Sequence, residues 1–273
     1  GVNNIPSDNA PDGAPPSTAA IVNETSASCT ATAAALAPFY QNGWRGWPAG
    51  TRLRVTFLDT APDGLKSYVQ NDIVYQRGEL DDEWFSLQET GGKTVRQQLY
   101  VGAHDGGIFA PATLYTRGGS GLPASMTLAC GSVDTIRYEV VDEMDIIGVD
   151  EESSGAVSLV SREWVLPDDP AIWIRREDGA AGDGYVQIRT VGATCSIADK
   201  ELSCIAVEQR IRLLSGHVLE TRYLSASVPG FLVEQITDIY TEDGSFRTHQ
   251  KIVEIVVPEG QSPHFHRNRA STR

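Results

Sequence analysis

The chain has 273 residues and a formal net charge of −14, from 36 acidic and 22 basic side chains. A surface this acidic excludes nucleic acid as an expected partner, because a phosphate backbone binds basic surfaces. It also disfavours adsorption to anionic lipid headgroups. The hydrophobic fraction of 41% is sufficient for a domain core. No run of about 18 apolar residues is present, so no transmembrane segment is predicted.

The two ends of the chain differ in composition from its middle. The opening stretch GVNNIPSDNAPDGAPPSTAA is rich in Pro, Asn, Asp, Ser and Ala, and it cannot bury much apolar surface. We therefore expect a flexible tail over residues 1–27 and a single β-rich domain over residues 28–260. Residues 261–273 are expected to form a second, polar tail.

A short helix is predicted near the start of the domain, followed by strands. The Ala-rich segment Ser28–Gln41 begins after Ser residues that can cap a helix, and the helix is expected to end near Pro38. In TRLRVTFLD, Leu53, Val55 and Phe57 alternate with polar residues, which is typical of a half-buried strand.

Strand-like segments then follow one another almost to the C-terminus, separated by glycine-rich or acidic turns. Ser215-Gly216 and Asp243-Gly244 are typical of tight hairpin connections. About ten to twelve strands joined in this way predict an all-β fold, or a β-rich α+β fold. We expect an antiparallel meander that forms a curved half-barrel or barrel, with one or two short helices.

One long glycine-rich loop, AHDGGIFAPATLYTRGGSGL, interrupts the series of strands and short turns between Ala103 and Leu122. Long irregular loops in compact domains are often functional, so this loop is the predicted lid or rim of a binding site. Aromatic side chains near such a rim can line an apolar pocket or stack on a sugar; ordinary core packing is the alternative. The predicted ligand-binding residues are Trp44, Trp47, His104, Asp105, Phe109 and Tyr115.

The four cysteines are expected to form two disulfides. Cys195 and Cys204 bracket a short hairpin whose ends can lie within disulfide distance. Three pairings are formally possible, and we favour Cys195 with Cys204, which leaves Cys29 with Cys130. Oxidised cysteines predict a periplasmic or extracellular location, whereas four reduced, buried cysteines would indicate the cytosol.

No segment carries a catalytic signature. GGSGL has Leu122 where a nucleophile elbow requires Gly, and GGKT lacks the earlier Gly of a phosphate-binding loop. We expect no catalytic residue, no metal site and no cofactor. The acidic clusters at residues 79–83, 142–145 and 150–152 are interpreted as solvated turns. Calcium binding or a pair of glycosidase carboxylates are the alternatives for these clusters.

The C-terminal segment ETRYLSASVPGFLVEQITDIYTEDGSFRTHQKIVEIV resembles the closing strands of the bacterial periplasmic half-barrels of the LolA and LolB group. The features that carry the resemblance are Val228-Pro229-Gly230, the Asp243-Gly244 corner and the apolar strand Ile252–Val257. The resemblance implies a curved antiparallel sheet around an apolar cavity closed by short helices. It also implies a role in binding acyl chains or in envelope assemblies.

Three functions follow from these observations. The first is a non-enzymatic extracytoplasmic binding module for a lipid or other hydrophobic ligand, or for a protein partner in the cell envelope. The second is a secreted β-sandwich that binds carbohydrate or acts on glycosides. The third is a structural subunit of a surface assembly. Nucleic acid is not an expected partner of any of the three.

Overall fold

The computed structural model describes residues 31, 33–41, 43, 46–77, 84–90, 93–99, 109–146, 155–179 and 184–260. These residues include one short α-helix, α1 (Ala33–Leu36), which continues as a 3₁₀ turn (Ala37–Tyr40). The strands are β1 (Arg52–Thr60), β2 (Lys66–Arg77), β3 (Trp84–Thr90), β4 (Lys93–Leu99), β5 (Ser120–Leu128), β6 (Gly131–Ile146), β7 (Gly155–Leu166), β8 (Asp169–Asp178), β9 (Tyr185–Ile197), β10 (Lys200–Leu213), β11 (Gly216–Leu224), β12 (Leu232–Thr241) and β13 (Gly244–Val256).

All thirteen strands belong to one antiparallel sheet with the order β4-β3-β2-β1-β13-β12-β11-β10-β9-β8-β7-β6-β5. Consecutive strands are neighbours in the sheet except β4 and β5, which lie at its two edges. β1 pairs with β13, which brings the two ends of the domain together. Within the described residues β4 and β5 do not pair with each other, so the sheet stays open. The predicted all-β meander in a curved half-barrel is therefore confirmed, with slightly more strands than expected.

Alternation of side chains produces an inner face that carries the cores and an outer face that is mostly polar. In β1, Leu53 and Val55 are buried, whereas Arg52 and Arg54, which alternate with them, are half-exposed. Side chains in a strand point alternately to the two faces, so this pattern directs one set inward. A sheet of more than about ten strands curls, and β9 accordingly contacts β12 and β13 across the inner face.

Two apolar cores lie on the inner face. The first core packs α1 and the 3₁₀ turn against β5 to β11, with Phe109 and Trp173 stacked at 5.3 Å between ring centroids. The second core packs the far end of the β9–β10 hairpin against β1, β12 and β13. The buried members of the second core are Trp47, Leu53, Val55, Ala193, Cys195, Ile197, Leu202, Cys204, Val228, Val233 and Ile252.

The helical segment is shorter than predicted within the part of the chain that is described. The α-helix ends at Leu36, because the proline at position 38 cannot donate a backbone hydrogen bond, and the chain tightens into the 3₁₀ turn. Leu36 and Phe39 both point into the first core. Ser28, the predicted start of the helix, lies outside the described residues.

The segment SASVPGF forms the corner between β11 and β12. The Ser225 N–H donates to the Phe231 carbonyl across the corner at 2.8 Å, and the Gly230 N–H donates to the Gly43 carbonyl at 2.9 Å. Val228 is fully buried in the second core. Gly230 has a φ of 68°, a conformation that glycine adopts without strain. The corner is therefore an architectural element that attaches the chain before β1 to the sheet.

A disulfide joins Cys195 and Cys204 near the end of the β9–β10 hairpin, with 6.1 Å between their Cα atoms. Cys130 is also disulfide-bonded; Cys29, its predicted partner, lies outside the described residues. The Cys195–Cys204 disulfide lies inside the second core, where both cysteines are buried.

We expect the double variant Cys195→Ala/Cys204→Ala to lower the free energy of unfolding by roughly 2–4 kcal/mol, because the disulfide restricts the unfolded chain. Urea denaturation measures this change. The control is Ser196→Ala/Ser203→Ala on the same hairpin, which should shift the free energy of unfolding by less than about 1 kcal/mol. An unchanged urea midpoint in the cysteine variant would contradict a structural role for the disulfide.

Candidate functional site

A cavity of about 460 Å³ opens where β8 ends, β9 begins and β10 ends. We call it the rim cavity. The described residues that line it include three arginines and one carboxylate, that of Asp178. Gly179 and Gly184 lie at its border, and a Cβ added to Gly179 would meet no atom within 4 Å. The lining residues are Arg176, Asp178, Gly179, Gly184, Tyr185, Val186, Gln209, Arg210, Ile211 and Arg212.

From the rim cavity an apolar row crosses four strands of the inner face. Ile211 lies opposite Val218, Val218 opposite Ile239, and Ile239 opposite Phe246. Residues directly opposite in an antiparallel pair point to the same face, and Ile211 shares its face with buried Val207 of the first core. Ile211 and Phe246 are each 43% exposed, so the apolar row continues the core surface into solvent.

An ion pair between buried Glu163 and partly buried Arg176 lies at one wall of the rim cavity. The Oε1 atom of Glu163 lies 3.0 Å from Nη2 of Arg176, and its Oε2 atom accepts hydrogen bonds from the N–H groups of Thr113 and Leu114, each at 2.9 Å. Glu163 is only 2% exposed. The guanidinium of Arg176 also lies 5.8 Å from the ring centroid of Trp173. These contacts with Glu163 and Trp173 hold the Arg176 side chain between the first core and the cavity.

A second polar network lies on the inner face between the apolar row and the cores. Glu220 forms an ion pair with Arg222 and accepts hydrogen bonds from Gln235 at 2.8 Å and from Thr237 at 3.3 Å. Burial is the main cause that lowers the pKa of Arg222, against the opposing effect of Glu220. The inner face thus changes from apolar core to a polar band and then to the apolar row.

The outer face carries a ladder of charged and aromatic side chains behind the rim cavity. The guanidinium of Arg175 lies 4.3 Å from the ring centroid of Tyr185 and 5.7 Å from that of Trp164. The Tyr185 hydroxyl donates to Glu208. Burial, followed by the hydrogen bond to Glu208, raises the pKa of Tyr185 to about 12. This ladder holds the start of β9, and therefore one border of the cavity, against β8 and β10.

The predicted ligand-binding residues do not converge on one site among the described residues. Trp47 is buried in the second core, whereas Phe109 is buried in the first and contacts Phe39, Tyr40 and Trp173.

Tyr115 is 37% exposed and packs on Tyr138 at 6.1 Å between centroids. Trp44, His104 and Asp105 lie outside the described residues. The assignment of these six residues to a ligand remains a prediction.

The rim cavity was missed at the sequence level because its residues are scattered over three strands. A signal was present in QRIRLL, where Gln209 and Ile211 alternate with Arg210 and Arg212. That alternation predicts a strand with one charged face, but it does not predict which neighbouring strand closes a cavity against it. Among the described residues, no group of three or more His, Cys, Asp or Glu side chains is placed to hold a metal ion.

No protein-family model matches the chain, and no curated protein matches its sequence significantly. In the part of the chain that the structure describes, no helix has both the length and the apolar character needed to cross a membrane.

Several solved structures overlap with the fold. One is a protein from Bacteroides fragilis described as exported, with a YmcC-like fold, at 9% identity over 78% of this chain and 98% of that chain, with a TM-score of 0.29. A LolA superfamily protein from Nitrosomonas europaea overlaps at 11% identity over 82% and 94% of the two chains, with a TM-score of 0.26.

A Vibrio parahaemolyticus domain described as belonging to an outer membrane lipoprotein-sorting protein overlaps at 9% identity over 82% and 89% of the two chains, with a TM-score of 0.27. Proteins of the group that the C-terminal hairpin resembles are thus among the structural neighbours. These TM-scores are too low to support a functional assignment.

We expect Glu163→Ala to lower the free energy of unfolding by roughly 3–5 kcal/mol, because it leaves the partly buried guanidinium of Arg176 without its counter-charge. Two backbone N–H groups lose their acceptor as well. Glu139→Ala is the matched control, since Glu139 pairs with Arg162 at a half-exposed site and should cost no more than about 1 kcal/mol. Equal losses in the two variants by urea denaturation would contradict the special role of Glu163.

Tyr185 should ionise well above the ordinary range of a tyrosine. Its pKa of about 12 in the folded state exceeds that of an unfolded tyrosine, about 10. Its contribution to stability is therefore complete below about pH 10 and is lost as the pH rises to about 12. Ultraviolet titration of phenolate in the native protein and in Tyr185→Phe measures this ionisation. Glu208→Gln should lower the pKa only in part, because burial is the larger cause.

Proposed function

We propose that this chain is a non-enzymatic, extracytoplasmic binding module whose inner face takes up a ligand with an apolar part of the acyl-chain kind. One observation carries the proposal: the half-exposed apolar row of Ile211, Val218, Ile239 and Phe246 leads into a cavity of about 460 Å³. Small-molecule sites typically occupy about 300–1,000 Å³ and are lined mostly by apolar groups with a few polar ones.

The position of the two cores supports a ligand position at the open end of the inner face. Leu36, Phe39, Phe109 and Trp173 already fill the first core with their own side chains, so an apolar chain would lie along the rim. Covering half-exposed Ile211 and Phe246 removes apolar surface from water, which favours binding by roughly 25 cal/mol for each Å² buried.

The extracytoplasmic location rests on cysteine chemistry. The Cys195–Cys204 disulfide lies in the second core, and Cys130 is disulfide-bonded as well. Structural disulfides of this kind persist in oxidising compartments and are rare in the cytosol. The periplasm or the extracellular space is therefore the proposed location of the domain.

A protein partner in the cell envelope is a second candidate, and the open edge of the sheet favours it. β5 is an edge strand whose first four residues are exposed, and Leu122 is 52% exposed. An exposed edge can pair with a strand of another chain. Pro123 lacks a backbone donor, which restricts such pairing to part of the strand.

The first proposal predicts that an uncharged apolar probe binds at the row. We expect N-phenyl-1-naphthylamine to fluoresce on binding the protein, and Phe246→Asp to weaken that binding by about ten-fold, because a charge is then placed in the apolar row. Fluorescence titration gives the dissociation constants, and mass spectrometry of solvent extracts identifies ligands that copurify.

The matched control is Tyr240→Asp. Tyr240 is 38% exposed, comparable to Phe246, but it lies next to Ile239 in β12 and therefore on the outer face. Its substitution should leave probe binding unchanged. Equal weakening in both variants, or no probe binding to the native protein, would contradict a ligand site on the inner face.

A further inference from the structure

The inner face carries a patch of polar side chains next to the apolar row, in β10 to β13. We call it the polar patch. The inner face is the concave one, because β9 contacts β12 and β13 across it. Polar groups on such a face are costly unless they are hydrogen-bonded, so the patch requires an explanation other than solubility. Its members form two rows of directly opposite residues: Gln209, Glu220, Thr237 and Thr248 in the first, and Arg222, Gln235 and Gln250 in the second.

The polar patch and the apolar row share one face of the sheet. Residues i and i+2 of a strand point to the same face, about 7 Å apart. A ligand that lies across β10 to β13 can therefore contact both surfaces at once. Every residue of the apolar row has a member of the patch two positions away in its own strand, in the pairs Ile211 and Gln209, Val218 and Glu220, Ile239 and Thr237, and Phe246 and Thr248.

The charges inside the polar patch cancel. Glu220 is only 9% exposed and forms an ion pair with Arg222, the one cation of the patch. The other carboxylate oxygen of Glu220 accepts hydrogen bonds from two further patch residues, at 2.8 Å and 3.3 Å. At the margin of the patch, the exposed side chain of Asp59 lies opposite Thr248. An anion would meet Asp59 and a cation that is already paired, so the patch suits an uncharged group.

Three uncharged side chains of the patch keep their hydrogen-bonding capacity for a ligand. Gln209, Thr248 and Gln250 are half-buried, and in the described part of the chain no side-chain hydrogen bond joins any of them to another residue. Amide and hydroxyl groups both donate and accept hydrogen bonds. Thr248 and Gln250 are two positions apart in β13, so they present these groups side by side on the inner face.

We infer that the polar patch binds the uncharged polar group of a neutral amphiphile, such as the ester and hydroxyl groups of a monoacylglycerol, through Thr248 and Gln250. The position of the apolar part along the apolar row rests on the proposed function. Arg222 of the patch lies opposite Val207 of the first core, so the patch separates that core from the apolar row. The bound ligand therefore points its polar group toward the cores and its apolar part toward the open end of the inner face.

The test compares 1-dodecanoylglycerol with dodecanoate, which carry an uncharged and a charged group on the same acyl chain. Calorimetric or fluorescence-competition titrations at about pH 8, where carboxylates are ionised, give the dissociation constants. We expect 1-dodecanoylglycerol to bind at least about ten-fold more tightly, because dodecanoate loses the hydration of its charge beside Glu220.

The double variant Thr248→Val/Gln250→Leu removes two hydrogen-bonding groups with little change in side-chain size. It should weaken the binding of 1-dodecanoylglycerol by about ten-fold, which is the loss expected for two hydrogen bonds. Binding of N-phenyl-1-naphthylamine to the apolar row should not be weakened in this variant.

The matched control is Thr221→Val/Gln70→Leu, which makes the same two substitutions on the outer face. Thr221 follows Glu220 in β11, and Gln70 lies opposite Thr56, which follows buried Val55 in β1. Successive residues of a strand point to opposite faces, so both control residues lie on the outer face. All affinities should be unchanged in this control, and far-ultraviolet circular dichroism shows that both double variants are folded.

The inference and the proposed function can fail separately. If 1-dodecanoylglycerol and the naphthylamine probe both bind and Thr248→Val/Gln250→Leu weakens neither, or weakens both equally, the polar patch is overturned and the proposed function stands. Dodecanoate binding as tightly as 1-dodecanoylglycerol would overturn the preference for an uncharged group. Failure of all three compounds to bind the native protein would instead contradict the proposed function, and with it the placement of the ligand.

Discussion

The fold depends on one constraint: a thirteen-stranded sheet must cover its apolar inner face almost entirely with itself. The described helical cover consists of two four-residue turns, α1 and the 3₁₀ turn after it. Curvature of the sheet provides the remaining cover of the inner face, because it brings the end of the β9–β10 hairpin against β1, β12 and β13. The β5–β6 turn also reaches β9, where the Ala129 N–H donates to the Arg189 carbonyl at 2.9 Å. Without this curvature neither core would be closed to water.

Because the sheet covers its own inner face, charged side chains become buried at the edges of the cores. The segment over the first core has backbone groups that no strand can satisfy, and Glu163 accepts from two of them while its other oxygen faces Arg176. A buried charge is tolerated when it is paired and hydrogen-bonded. Glu220 shows the same arrangement farther along the inner face, with Arg222, Gln235 and Thr237 around it. These groups mark the boundary at which the inner face stops being core.

Beyond that boundary, the inner face becomes an accessible surface. The sheet continues past the cores into the ends of β8 to β13, where half-exposed Ile211 and Phe246 lie on the same face as the cores. Where a strand extends beyond the core, its side chains on the inner face stay exposed and form a rim. Core packing alone does not require these exposed apolar side chains at the rim.

Much of the architecture was determined by the sequence itself, because strand alternation and turn chemistry are local. The alternation of Leu53 and Val55, the corner at Val228-Pro229-Gly230 and the pairing of Cys195 with Cys204 across a short hairpin all depend on residues close together in the chain. The antiparallel meander follows from them. The candidate site could not be predicted in the same way.

Only the tertiary structure decided which residues meet, since curvature and the pairing of β1 with β13 arise from contacts between distant segments. It assigned Trp47 and Phe109 to separate cores and placed Arg176 of β8 and Ile211 of β10 around one cavity. The sequence of each strand specifies which side chains share a face. The partner across that face is selected by packing of the whole sheet, which no local pattern records.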